Sequence, residues 1–156
     1  MKAVLSLGSN IGDREGHLAV AREMLGAVFP VMAVSPIYET APVGFADQAA
    51  FLNQILIVEA DDAEALLTAG HRAEEARGRT RSRRWGPRTL DVDVVSVDGM
   101  RSESPRLTLP HPRAHERAFV LMPWLDIDPD AELPGHGLVG ALLRRLDSSG
   151  VRRWAG

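Results

Sequence analysis

Apolar residues recur along this chain with two alternating periods, and the order of the periods predicts its elements. Residues 2–7 form a short apolar run that stops at Gly8-Ser9-Asn10, as a strand does on entering a turn. Asp13 suits a helix N-cap, and after it Leu18, Ala21, Leu25 and Val28 fall on one helical face. Residues 31–38 predict a second strand, and Pro42 and Gly44 mark the loop that follows. Residues 51–59, FLNQILIVE, predict a largely buried third strand. A second helix follows, capped by Asp61 or Asp62, with Leu66, Leu67, Ala69, Ala73 and Ala76 inward and Gly78 as its stop. Residues 90–97 supply the fourth strand.

The order β-α-β-β-α-β predicts an α+β, ferredoxin-like core: an antiparallel sheet with both helices on one face and the other face open to a ligand. Beyond it come a short strand at 106–109 and helices at 114–125 and 138–146. Neither a repeat nor a low-complexity segment interrupts residues 1–156, which read as a single domain.

Composition narrows the chemistry. A hydrophobic content of 45% with 25% charged residues is that of a globular chain with a core, and the formal net charge of -3 exerts no general pull on nucleic acid or anionic lipid. No segment approaches a membrane span, and the apolar run at the amino terminus is too short for a signal peptide. The lack of cysteine removes disulfide and thiolate chemistry and agrees with a cytoplasmic location. Lys2 is the only lysine among the 18 basic residues, which excludes a P-loop, a protein-kinase lysine and Schiff-base catalysis. His17, His71, His111, His115 and His136 show no zinc-type spacing.

Charge is concentrated instead. Arg77, Arg79, Arg81, Arg83, Arg84 and Arg88 lead directly into TLDVDVV, where strand alternation sends Asp91 and Asp93 to one face and Leu90, Val92 and Val94 to the other. Two carboxylates on a strand whose Cα atoms are about 6.5–7 Å apart either face water or share a hard cation, and Mg2+ accepts such a pair together with substrate phosphates. By itself each half has an ordinary explanation, a solvated strand or a basic loop. Side by side they make a polyphosphate site, arginine forks taking the oxygens that a metal leaves. Trp85 within the arginine run can cover a flat ring. Phe51 and Asn53 share a strand face and pair a stacking ring with a donor–acceptor amide, as a planar heterocycle requires. His111, between two prolines, can donate to phosphate, and Arg117 with Phe119 repeats the pairing of cation and aromatic. An RNA-binding module of the same topology and another metal-dependent nucleotide transferase or hydrolase stand as alternatives.

LSLGSNIGD, SPIYETAPVG, DQAAFLNQ, GRTRSRRWGPRTLDVDVV, LTLPHPRAHERAFVL and DIDP, in this order over nearly the whole chain, resemble the 6-hydroxymethyl-7,8-dihydropterin pyrophosphokinase family. The resemblance implies a ferredoxin-like fold and pyrophosphoryl transfer from ATP to a pterin alcohol in folate biosynthesis. It implies that Asp91 and Asp93 hold two Mg2+ ions and that Arg79, Arg81 and Arg88 grip the phosphates, Arg79 and Arg88 acting in the transition state. It places Glu74, Arg81, Trp85, Arg88, Val94, Arg106, Thr108, His111, Pro112 and Arg117 at ATP, with His111 on the α-phosphate. It places Thr40, Ala41, Pro42, Val43, Phe51, Asn53, Trp85 and Phe119 at the pterin. Small-molecule substrates, no nucleic-acid or membrane partner and a monomer follow from the same likeness. Phe51 and Pro112 stand where some members carry tyrosine, and Phe45 where proline is frequent, which removes a hydroxyl contact but leaves the reaction.

Overall fold

The computed structural model describes residues 1–41, 50–78 and 89–156. Strand β1 (Lys2–Ser9) lies inside the sheet, antiparallel to β4 (Phe51–Glu59) on one side and β5 (Asp91–Val97) on the other. Between β1 and β4 in sequence come α1 (Arg14–Gly26), β2 (Val31–Val34) and β3 (Tyr38–Thr40), and α2 (Ala63–Ala76) joins β4 to β5. Both β2 and β3 pair with β4; β2 and Tyr38 fall within the expected second strand, whereas Glu39 and Thr40, expected in the loop, continue β3 because they pair with Leu52 and Phe51. The predicted strand at 31–38 is broken because Pro36 has no N–H to donate. The preceding Ser35 fills the break, donating its N–H to the Ile55 carbonyl and accepting the Ile55 N–H on its hydroxyl.

The helix signals hold with local corrections. Asp13 accepts the Gly16 N–H at 3.1 Å, and Asp62, rather than Asp61, caps α2 by accepting the Glu64 N–H at 2.9 Å. Gly78 takes a φ of +75°, the left-handed conformation that ends a helix without a Cβ penalty. Val28, expected inward, is 61% exposed because α1 has already ended at Gly26. Ala76 is exposed, and Leu67 and Ala69 are only half buried.

On one face of the sheet α1 and α2 cover a core that includes Leu5, Leu7, Leu18, Leu25, Leu52, Leu56 and Leu66. Each such leucine contributes roughly 1.5–3 kcal/mol relative to exposure. The opposite face differs from the expectation of an open sheet. Val4, Ile55, Ile57 and Val95 are covered by a second core built from Val120, Leu121, Trp124, Leu133, Val139 and Leu142. The segment that supplies it begins with a hairpin of β6 (Ser102–Ser104) and β7 (Leu107–Leu109), so the strand expected at 106–109 starts one residue later and lies outside the main sheet. The helix expected at 114–125 splits into a 3-10 turn (Ala114–Glu116) and α3 (Ala118–Ile127), parted by extended backbone at Arg117. A hairpin of β8 (Glu132–Leu133) and β9 (Gly137–Leu138) leads to α4 (Val139–Arg144), shorter at both ends than the expected 138–146.

A strand that the hydrophobic pattern did not mark, β10 (Val151–Arg153), extends the sheet beside β3. Tyr38 donates its hydroxyl to Asp126, and Arg153 lies 3.4 Å from the same carboxylate, tying β3, β10 and α3 together. The second core stops short of the ends of β4, β1 and β5, and there the polar face of the sheet remains for a site.

Candidate active site

Asp91 and Asp93 are half buried on one face of β5, while Val92 and Val94 pack into the core beneath. From α2, Glu74, only 3% exposed, accepts the Val92 N–H at 2.9 Å. A buried carboxylate therefore holds the main chain midway between the two aspartates, which sets their height above the sheet.

Beside β5 opens a cleft of about 420 Å3, bounded by α2, the β6–β7 hairpin and the 3-10 segment. Asp91, Asp93, Glu74, Val94, Arg106, Thr108, His111, Pro112 and Arg117 all line it. So do Leu67, His71, Val92, Pro105 and Leu107, which the sequence reading did not assign to a site. A signal for two of them was available: Leu67, His71 and Glu74 are spaced 4 and 3 apart, one face of α2. Arg117 reaches from the N-cap of α3, with Nη1 4.0 Å from Asp93 Oδ2 and its guanidinium carbon 5.5 Å from the Phe119 ring centroid. Arg106 lies 3.2 Å from Glu64 in an exposed ion pair at the cleft rim, a contact of small energetic weight.

His111 is anchored by its own N–H to the Val95 carbonyl at 2.8 Å. Its Nδ1 accepts the Arg113 N–H at 3.2 Å, which leaves the proton of the neutral ring on Nε2. Burial, reinforced by Arg117 and Arg113 and opposed by Asp91, pushes its pKa from 6.5 down to about 4. The ring is neutral in the folded protein at physiological pH, and its Nε2–H is an uncharged donor group.

The sign of the pH effect follows. Above pH 6.5 the ring is neutral in both the folded and unfolded chains. As the pH falls from 6.5 toward about 4, the unfolded chain takes up a proton that the folded chain refuses, so stability falls. His111→Gln is expected to remove up to about 3 kcal/mol of this acid sensitivity. Urea unfolding of both proteins at pH 7 and pH 4.5 measures it, and an equal loss in both would contradict the assignment.

Across β1 from the carboxylates lies the second cluster. Asn53 is 4% exposed, and its Oδ1 accepts the Thr40 hydroxyl at 2.7 Å, so the amide is held in one orientation. Phe51 precedes it on the same face, and Arg14 steadies the start of β4 by donating to the Ala50 carbonyl at 2.7 Å. Phe119 is half buried and packs against the second core on α3, which contacts β4. Ala41 is exposed next to Thr40, its N–H bonded to the Gly150 carbonyl. These residues do not line the cleft; they stand on the far side of β1, with the aspartates between the two groups.

The family model for 7,8-dihydro-6-hydroxymethylpterin-pyrophosphokinase (HPPK) matches residues 4–129. The chain belongs to this family. It is 48% identical over 149 residues to the 2-amino-4-hydroxy-6-hydroxymethyldihydropteridine pyrophosphokinase of Mycobacterium leprae, over 87% of this chain and 76% of that protein. To the protein of the same name from Methylorubrum extorquens it is 43% identical over 97% of this chain and 98% of that one. Wild-type Plasmodium falciparum HPPK-DHPS with pteroate superposes with a TM-score of 0.66 at 12% identity, over 92% of this chain and 44% of that longer one, a likeness of fold. The HPPK-type core is thus the ferredoxin-like one expected, with the C-terminal segment laid over its second face.

Arg79, Arg81, Trp85, Arg88, Pro42 and Val43 lie outside the described residues. Of the arginine run, Arg77 is described, and it is turned toward α1, where its Nε donates to His17 Nδ1 at 2.8 Å. Burial and the Arg77 charge lower the His17 pKa, which keeps that nitrogen available as an acceptor.

Proposed function

We propose that the chain transfers pyrophosphate from ATP to 6-hydroxymethyl-7,8-dihydropterin, releasing AMP, with ATP bound in the cleft and the pterin on the Phe51–Asn53 side of β1. The observation that carries this reading is the placement of Asp91 and Asp93 between a cleft lined by arginine and histidine and a patch that combines aromatic rings with an oriented amide. A transfer between two substrates needs both sites to meet at the reacting group.

The donor set suits magnesium. Among the described residues no three acidic or histidine side chains gather into a self-sufficient metal site. Two carboxylates on one strand face are what Mg2+ takes from a protein when substrate phosphates and water complete its shell. Asp91 and Asp93 would hold two such ions, whose chemistry is to neutralise phosphate charge and bring the alcohol oxygen close to phosphorus.

The remaining work falls to the chain itself. The Nε2–H of His111 donates to a phosphate oxygen, and Arg106, Arg117, Arg79, Arg81 and Arg88 supply fixed positive charge as the leaving phosphate gains negative charge. Thr108, Pro112, Val94 and Glu74 shape the ATP cleft. Phe51 and Phe119 stack the pterin ring, Asn53 presents its NH2 to the ring edge, Thr40 to Val43 border it, and Trp85 excludes water from the ring. The pterin alcohol oxygen forms a bond to the β-phosphorus, the α–β bridging bond breaks, its electron pair leaves with AMP, and the alcohol proton passes to solvent or a phosphate oxygen. In-line geometry and charge neutralisation supply most of the acceleration, so a dedicated general base is not required. We take residues 1–156 as one catalytic domain, acting as a cytoplasmic monomer.

The test is to mix the protein with MgATP and the hydroxymethyldihydropterin and identify the nucleotide released. AMP in step with a pterin diphosphate is the expected result. ADP, or AMP release independent of the pterin, would overturn it.

A further inference from the structure

We infer that Gly8 is a specificity-determining position: its missing side chain leaves the floor on which the pterin lies between Asn53 and Asp91. The inference rests on the pyrophosphokinase reading above and adds a residue to it. Gly8 is the register partner of Asn53 on β4 and, across its other edge, of Asp91 on β5. The three form one row on the same face of three adjacent strands, with Asn53 and Asp91 about 10 Å apart, two interstrand spacings. One position earlier in the alternation, the corresponding row is Ile55, Ser6 and Asp93, where a side chain is present at the centre.

A flat bicyclic ring held at Asn53, with its one-carbon arm reaching the carboxylates, must cross β1 at Gly8. A Cβ placed there would stand 3.1 Å from Asn53 Nδ2 and 3.8 Å from Phe51 Cδ1, the two side chains assigned to the ring. Gly8 has no positive φ, so its backbone does not require glycine. Glycine in the middle of a central strand has an entropic cost of about 0.5–1 kcal/mol against alanine, and the space it preserves is the reason to keep it.

Gly8→Ala therefore has a selective effect. The pterin KM should rise about 10-fold or more, because an added methyl lifts the ring from the floor and displaces the oriented amide. The dissociation constant for MgATP, whose cleft lies beyond β5, should stay within about 2-fold, and the thermal midpoint close to that of the parent. A second comparison separates seating of the substrate from mere packing of Asn53. In an Asn53→Ala background the contact with the amide is gone, yet Gly8→Ala should still raise the pterin KM about 5-fold further. An unchanged KM in Gly8→Ala would overturn the inference, and so would the absence of any further rise in the double variant, which relieves the Asn53 contact if the single variant folds poorly. Parent protein that releases no pterin-dependent AMP would instead remove the reading on which the inference stands.

Discussion

Asp93→Ala is expected to lower kcat/KM by at least about 10^3-fold while leaving the fold intact. The carboxylate is half buried at the mouth of the cleft, on the polar face of β5, so its removal opens no cavity in either core. Removing one of two like carboxylates also relieves their mutual repulsion, and the thermal midpoint should hold or rise slightly. On the proposed mechanism, what is lost is half the donor set for magnesium, together with the partner that Arg117 approaches at 4.0 Å. The assay of AMP release, with calorimetric unfolding beside it, checks both halves. If the pair holds magnesium as proposed, raising the Mg2+ concentration should restore only part of the rate, because a ligand is missing. Asp93→Ala with nearly full activity would remove the carboxylate pair from the mechanism.

Arg88→Ala carries the second large effect, a fall in kcat of about 10^2–10^4-fold with a smaller change in the ATP KM. Arg88 stands three residues before Asp91 in the chain, and Leu90 between them is fully buried. When AMP leaves, negative charge grows on its phosphate, and a planar fork that meets two oxygens stabilises that growth more than it stabilises bound ATP. Arg88→Lys should recover only part of the loss, since an ammonium supplies the charge without the bidentate geometry. Steady-state kinetics on the three proteins decide it: a raised ATP KM with kcat unchanged would make Arg88 a ground-state binding residue, and full activity in Arg88→Lys would make its shape irrelevant.

Much of this was legible in the linear sequence, for identifiable reasons. The alternation in TLDVDVV depends only on the period of a strand, and it put Asp91 and Asp93 on one face before any neighbour was known. Asp13, Asp62 and Gly78 act within a few residues of themselves, so the helix limits they predict hold locally. The LSLGSN and RWGPRTLDVD segments carry the family through residue identity alone.

Other features were decided by contacts between segments distant in the chain. Residues 102–146 cover the second face of the sheet because Ile55, Ile57 and Val95 present apolar side chains there, a demand invisible within the helices that satisfy it. Val151–Arg153 has no apolar run to mark it as a strand; it becomes one because β3 offers an unpaired edge. Leu67 and His71 belong to the cleft wall because α2 packs along β5. The strand candidate and the binding residues were written in local patterns of period 2, whereas the meeting of Asn53, Gly8 and Asp91 in one row depends on register, which only the pairing of β4, β1 and β5 could set.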